Sequence, residues 1–314
     1  MRRFKNLKKT AIHQIKAIVQ QRINSRPIRV VVELTNKCNL NCPFCLVGQQ
    51  NNQVSVAHSE LVRESGYLDS ILAEKIIKDA KQFGINEILL TFQGEPLLHK
   101  QLTKFVRLSK KNDLKTIIFT NGLLLNKDLA NKLIESGIDV IRFSVDGASE
   151  STYQKNRVGG RFSKVFENMT EVAKIVEENN THTQLIWQFI ALKNNEHEIE
   201  TAKKMAENIG LEFQVKTFAE SVPELTPDTA QYRRKLLPKP CKDLYRAIWI
   251  YWNGDVVPCC YDLSGSVILG NVSKNTIEEI WHSKKYVNFR RQVAQSKKYP
   301  ASEPKLCENC LKWR

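Results

Sequence analysis

Short β-branched runs alternate with amphipathic stretches along most of this chain. Arg29–Leu34 (RVVVEL) is apolar at nearly every position, the mark of a buried strand. Asn86–Phe92, Lys115–Thr120, Asp139–Val145, Thr183–Leu192 and Leu211–Thr217 repeat the pattern. Between them, apolar residues spaced for one helix face predict helices near residues 70–83, 98–111, 126–136, 161–179 and 196–209. Gly84, Gly137 and Gly210 fall where three of these end, and glycine is favoured just past a helix C-terminus. Six strands alternating with helices predict an α/β fold with a parallel sheet and right-handed crossovers. An open doubly wound sheet and a partial barrel both satisfy the pattern. Either one puts its chemistry at the C-terminal ends of the strands.

The flanks differ in character. Residues 1–29 carry nine Lys or Arg and no Asp or Glu, with Phe4, Leu7, Ile12, Ile15, Ile18, Val19 and Ile23 at helical spacing. This predicts a basic amphipathic helix over residues 1–28, able to pack on the main domain, lie on an anionic membrane surface or contact nucleic acid. Residues 29–217 form the main domain. Residues 218–240, with four prolines and no periodicity, read as a linker. In the last segment, 241–314, Ala247–Tyr251, Asn253-Gly254 and Val256-Val257 predict a β-hairpin. One helix follows, from about Thr276 to Gln295.

Composition narrows the class. At 314 residues and 42% hydrophobic, the chain can bury a full core and one small extra module. No run approaches the roughly 18 apolar residues of a membrane span, and no signal peptide is evident. A cytoplasmic location is expected, with peripheral membrane contact open to the basic helix. In a reducing compartment, eight clustered cysteines point to metal ligation rather than disulfides. The net charge of +15 raises RNA modification as a function, but no RNA-binding module is recognisable and nucleic acid is not expected as a partner.

Directly after the first strand comes TNKCNLNCPFC, placing Cys38, Cys42 and Cys45 on one loop. Three thiolates can bind three irons of a cubane and leave the fourth without a protein ligand. Zinc is the alternative, although the nearest histidine, His58, is thirteen residues on. With Phe44 before the third cysteine, the motif resembles that of the radical S-adenosylmethionine (SAM) superfamily. The resemblance extends along the strand ends. Gln93-Gly94-Glu95-Pro96 is similar to the family's GGEP segment, with Gln93 in place of its first glycine. Thr120-Asn121-Gly122 is similar to its TNG turn, and Ser144-Val145-Asp146-Gly147 to its SAM-ribose segment.

The resemblance implies a partial (β/α)6 TIM-like barrel, a [4Fe–4S] cluster on the three cysteines, and SAM contacts from Phe44, Gly94, Glu95, Asn121, Ser144 and Asp146. Taken singly, Gly94 and Gly122 also read as plain turns, and Asp146 as a helix N-cap.

Cys241, Cys259, Cys307 and Cys310 form a second group, a ligand set that zinc ribbons share. The NGDVVPCC, LGNV, TIEEIW and CENC stretches resemble the SPASM/twitch extension of radical SAM enzymes. Their number matches the shorter twitch form of the butirosin-pathway dehydrogenase acting on 2-deoxy-scyllo-inosamine. The resemblance implies one auxiliary [4Fe–4S] cluster on these four residues, with Cys259 assigned as the ligand and the adjacent Cys260, otherwise a small buried side chain, as the alternative.

In this family, reductive cleavage of SAM yields a 5′-deoxyadenosyl radical that abstracts hydrogen from substrate. A flavodoxin- or ferredoxin-type donor supplies the electron. The expected substrate is a small polar molecule, such as a sugar, aminocyclitol or nucleotide-sugar, with the auxiliary cluster accepting an electron in a net oxidation. Peptide maturation is the alternative; the 28 residues before the first strand are too few for the leader-binding domain such maturases commonly carry. Gln188 and Arg157 are candidate substrate contacts, and Lys216 a candidate proton acceptor if burial lowers its pKa.

Overall fold

The computed structural model describes residues 25–45, 47, 63–218, 222–233, 241, 243–296, 304–308 and 310. The expected basic helix, apart from residues 25–28, lies outside them, as do parts of the linker. The six expected strands are β1 (Arg29–Val32), β2 (Glu87–Leu89), β3 (Lys115–Thr120), β4 (Val140–Ser144), β5 (Gln184–Ala191) and β6 (Glu212–Thr217). The helices between them are α1 (Ser70–Gln82), α2 (Leu102–Lys111), α3 (Lys127–Glu135), α4 (Glu150–Asn156), α5 (Phe162–Glu178) and α6 (Ile199–Asn208). Polar caps set where α1 and α3 begin: the Asp69 carboxylate accepts from the Ile71 and Leu72 amides, and Asn126 from Leu129. The three expected helix-ending glycines all sit at φ between 75° and 84°.

All neighbours from β1 to β6 pair in parallel, so helices must cross over between them. The strand order is β6-β5-β4-β3-β2-β1-β7-β8-β9. The last three are β7 (Ala247–Ile250), β8 (Asp255–Val257) and β9 (Gly270–Asn271). The hairpin expected in the C-terminal segment is therefore continuous with the main sheet. Its first strand lies parallel to β1, from Arg29 opposite Ala247 to Val32 opposite Ile250. No strand pairing closes the sheet among the described residues, which leaves an open partial barrel.

Alternation along the strands gives the sheet two faces. Ile88, Ile118, Ile141, Phe143, Trp187 and Phe189 join the large core beneath the helices. Val31, Leu89, Ile117, Val140, Ile186 and Ala247 form a smaller cluster on the inner face. Period two then places Arg142 and Ser144, Gln188, and Gln214 and Lys216 on that inner face, towards the strand ends. The inner face thus has an apolar floor and a polar mouth.

The expected single helix over Thr276–Gln295 is two, α7 (Ile277–His282) and α8 (Lys284–Ser296). Ser283 is extended (φ −59°, ψ 149°), and its hydroxyl accepts from the Tyr286 amide at 3.2 Å, capping the second helix. A short α9 (Lys305–Glu308) follows. No described helix is long and apolar enough to cross a membrane.

Candidate active site

The loop after β1 is fixed from three sides before any cofactor is considered. The Glu95 amide donates to the Lys37 carbonyl at 2.8 Å, Asn121 Nδ2 to Asn39 Oδ1 at 2.8 Å, and the Asn41 amide to the Val158 carbonyl at 2.9 Å. Gly94 is required for the first contact. It has φ +72°, and a Cβ there would stand 2.4 Å from the Thr35 carbonyl oxygen and 2.6 Å from that of Lys37. The loops after β1, β2, β3 and β4 therefore lock together around the cysteines.

Glu95 makes the lock. It is buried and accepts at Oε1 from the Thr120 hydroxyl (2.7 Å) and the Leu97 amide (3.1 Å), and at Oε2 from the Asn121 amide (2.8 Å). Burial raises its pKa, and these donors oppose the rise. Gln93, the departure from the family pattern, has a role here: its amide donates to the Leu263 carbonyl at 3.1 Å, four residues past Cys259. The same carbonyl accepts from Arg63 Nε at 3.0 Å. Arg63 in turn is paired with the fully buried Glu33 at 2.6 Å and lies 3.6 Å over the Tyr251 ring. Neither link was expected from sequence, where Glu33 is an acid inside the RVVVEL run.

The three thiols of the first loop interact. Burial pushes Cys38 up to about 12, with Glu95, Cys45 and Cys42 adding repulsion. Burial pushes Cys42 up to about 11, while the Arg157 guanidinium opposes the rise. Thiolates crowded this way are stabilised by bound iron, since coordination deprotonates a thiol outright. Among the described residues, no three such side chains converge on a single metal ion.

Arg157 Nη1 lies 3.7 Å from Cys42 Sγ, with its guanidinium carbon 5.5 Å from the Phe44 ring centre. Phe44 itself meets Phe218 edge-on at 6.0 Å. Asp146 is completely buried, and both its oxygens are engaged: Oδ1 by the Ile190 amide at 2.7 Å, Oδ2 by Arg157 at 2.6 and 2.8 Å. The N-cap of α4 is Ser149, not Asp146. Ser144 closes β4 in register with Gln188, and its hydroxyl makes no hydrogen bond among the described residues.

At the other end of the chain, burial holds the Cys259 thiol well above its ordinary range, with Cys260, Cys241 and Cys307 adding repulsion. The Cys310 amide donates to the Cys307 carbonyl at 3.1 Å, so the last two cysteines share one turn. This set of soft ligands fits an iron–sulfur cluster. A separate groove lined by Lys174, Asn180, Gln184 and Asn208 lies at the opposite strand ends and contains none of the motif residues.

Comparison with known proteins agrees with this geometry. The radical SAM superfamily profile matches residues 32–206, and an iron–sulfur cluster-binding (SPASM) domain matches residues 241–311. A cofactor-modifying protein for the tungsten-containing aldehyde ferredoxin oxidoreductase of Pyrococcus furiosus is 24% identical, over 89% of this chain and 86% of its own. A probable GTP 3′,8-cyclase of Methanococcus maripaludis is 30% identical over 62% of this chain, and the match spans 60% of the cyclase's length. Among solved structures, BtrN in complex with AdoMet and 2-DOIA has a TM-score of 0.57 at 20% identity, covering 91% of this chain and 93% of BtrN. SuiB of Streptococcus suis bound to precursor peptide SuiA has a TM-score of 0.69 at 16% identity, covering 91% and 72%.

Proposed function

The chain belongs to the radical SAM superfamily and carries a SPASM-type iron–sulfur domain, and on that premise we propose that it oxidises a small polar molecule. The first cluster, when bound, supplies the electron that splits SAM into methionine and a 5′-deoxyadenosyl radical able to take a hydrogen atom from substrate. Cys38, Cys42 and Cys45 would hold that cluster, and Cys241, Cys259, Cys307 and Cys310 an auxiliary one. The protein's own part is to position the reactants and exclude water. Ser144 presents a hydroxyl at the strand end, Asn121 and Glu95 fix the loop over which SAM would lie, and Arg157 faces the cysteine loop. Net oxidation requires a second electron to leave the substrate, together with a proton.

The observation that carries this reading is the second cysteine set, whose Cys259 lies on a loop tied to the SAM-side loop through Gln93 and the Leu263 carbonyl. It supports an electron acceptor held beside the sheet whose strand ends carry the radical chemistry. A small substrate is favoured by the nearly complete mutual coverage with BtrN, whose bound 2-DOIA is a small molecule. The second reading, peptide modification, is favoured by SuiB and by the PqqA peptide cyclase of Gluconobacter oxydans, 24% identical over 85% of this chain.

The test is an anaerobic reconstitution with iron and sulfide counted per chain. Wild type should hold about eight irons and the Cys38/Cys42/Cys45→Ala variant about four, with 5′-deoxyadenosine formed from SAM by wild type alone. Four irons plus one zinc in wild type would remove the auxiliary oxidant and with it the oxidation. SAM left intact by wild type would remove the radical chemistry.

A further inference from the structure

Four arginines lie on or beside the inner face, and three are matched to carboxylates. Arg29 pairs with Glu87 at 2.8 Å, Arg63 with Glu33 at 2.6 Å, and Arg157 with Asp146 at 2.6 Å. Arg142 is the exception. Its Nη1 donates to the neutral Gln214 Oε1 at 2.6 Å, and among the described residues it ion-pairs with no carboxylate. The nearest acid, Glu212, is occupied by neutral partners: Gln184 and Gln214 each donate an amide N–H to it at 2.5 Å. Gln214 thus stands between the two charges, accepting from the guanidinium and donating to the carboxylate.

A second cation shares the space. Lys216 follows Gln214 by two on β6, so it lies on the same face, and it too has no ion-pair partner among the described residues. Its pKa is lowered, first by burial and second by the charge of Arg142. Register places Gln188 beside Ser144 on one side and Gln214 on the other, adding neutral donors at the level between Arg142 and Lys216. Arg142 is half-buried and Lys216 more exposed; Glu212 attracts both, but one carboxylate against two cations leaves a surplus of positive charge on this face that a bound anion would offset. The guanidinium's unused N–H groups and a lysine suit the several oxygens of a phosphate better than the two of a carboxylate.

We propose that Arg142 and Lys216, with Gln188 and Gln214, form an oxyanion subsite on the inner face, and that the substrate is a small molecule carrying a phosphate group held there. This deepens the reading above, since it rests on substrate occupying this face. It also gives Lys216 a binding duty, distinct from that of a proton acceptor.

The test is calorimetric titration of the reconstituted protein with glucose 6-phosphate, glucuronate and glucose as probes. Glucose 6-phosphate should bind measurably and glucose should not, with glucuronate weaker than the phosphate. Lys216→Met and Arg142→Gln should each weaken phosphate binding on the order of tenfold, the scale of one charged hydrogen bond lost. Lys216→Arg should stay within about threefold of wild type, because charge is kept while the titratable amine is lost. Lys104→Met, on the outer side of α2, should change nothing. Equal binding of glucose 6-phosphate and glucose, or phosphate affinity unmoved in Lys216→Met and Arg142→Gln, overturns the subsite. Stronger binding of glucuronate overturns the phosphate assignment. Deoxyadenosine formation without added substrate reports the radical reading separately, so either can fall while the other stands.

Discussion

Arg157, just past α4, and Arg142, on β4, are treated in opposite ways. Arg157 is buried against the cysteine loop, and both N–H groups it turns on Asp146 meet a carboxylate whose other oxygen is also filled. Arg142 lies across the inner face with a glutamine where a carboxylate might have been. The first corner is closed: charge is matched, glycine permits backbone contact, and each loop braces the next. The second wall is open: two cations share one carboxylate, Glu212, which reaches Arg142 only through Gln214. A fully compensated cation holds a shape, whereas an uncompensated one is poised to receive a ligand.

The largest effect should come from breaking the closed corner. Asp146→Asn leaves Arg157 buried beside the thiols without its anion, and about 3–5 kcal/mol of stability should be lost in urea unfolding. A loss under about 1 kcal/mol would show that the pair does not brace the corner. Gly94→Ala should come next, because its Cβ meets two carbonyl oxygens and its φ disfavours a side chain. A cost of about 1–3 kcal/mol is expected, with reduced iron uptake at the first site in the reconstitution count. Uptake equal to wild type would mean that the β1 and β2 loops need not touch.

The open wall should respond differently. Arg142→Met should change stability by less than about 1 kcal/mol in either direction, because no fixed ion pair is lost. A loss as large as that of Asp146→Asn would erase the contrast. The smallest effect concerns pH. The folded-state pKa of Lys216 lies below its unfolded value, so the native state binds fewer protons in the window beneath 10.5, and stability rises with pH there. Lys216→Met should flatten that slope slightly between pH 8 and 10 in urea midpoints; an unchanged slope would mean that folding does not lower the Lys216 pKa.

Much of this architecture could be read before folding because it is local. Strand and helix periods, helix-ending glycines and the cysteine spacing all lie within a few residues of one another. What stayed hidden depends on distant pairing. Nothing in Ala247–Ile250 announces that it will lie against Arg29–Val32. The seven-residue α4 is too short to show a period, and it carries Asn156 and, just past its end, Arg157 into the cysteine corner. A serine capable of capping concealed the break between α7 and α8. Arg142 is a charge among the apolar residues of DVIRFSV, but its meaning required knowing that Gln214 would meet it.

The pairing of β7 with β1 also bears on how the protein is made. A ribosome releases β1 early, yet the strand that covers its far edge begins about 215 residues later (247 minus 32). At ordinary elongation rates that interval is on the order of 10–40 s. Throughout it, an edge whose residues run Val30-Val31-Val32 carries unpaired backbone groups beside apolar side chains, a template for adventitious pairing. Nascent chains caught in that window are the form a chaperone must guard, and translation arrested before residue 250 should release the most aggregation-prone species this gene product forms.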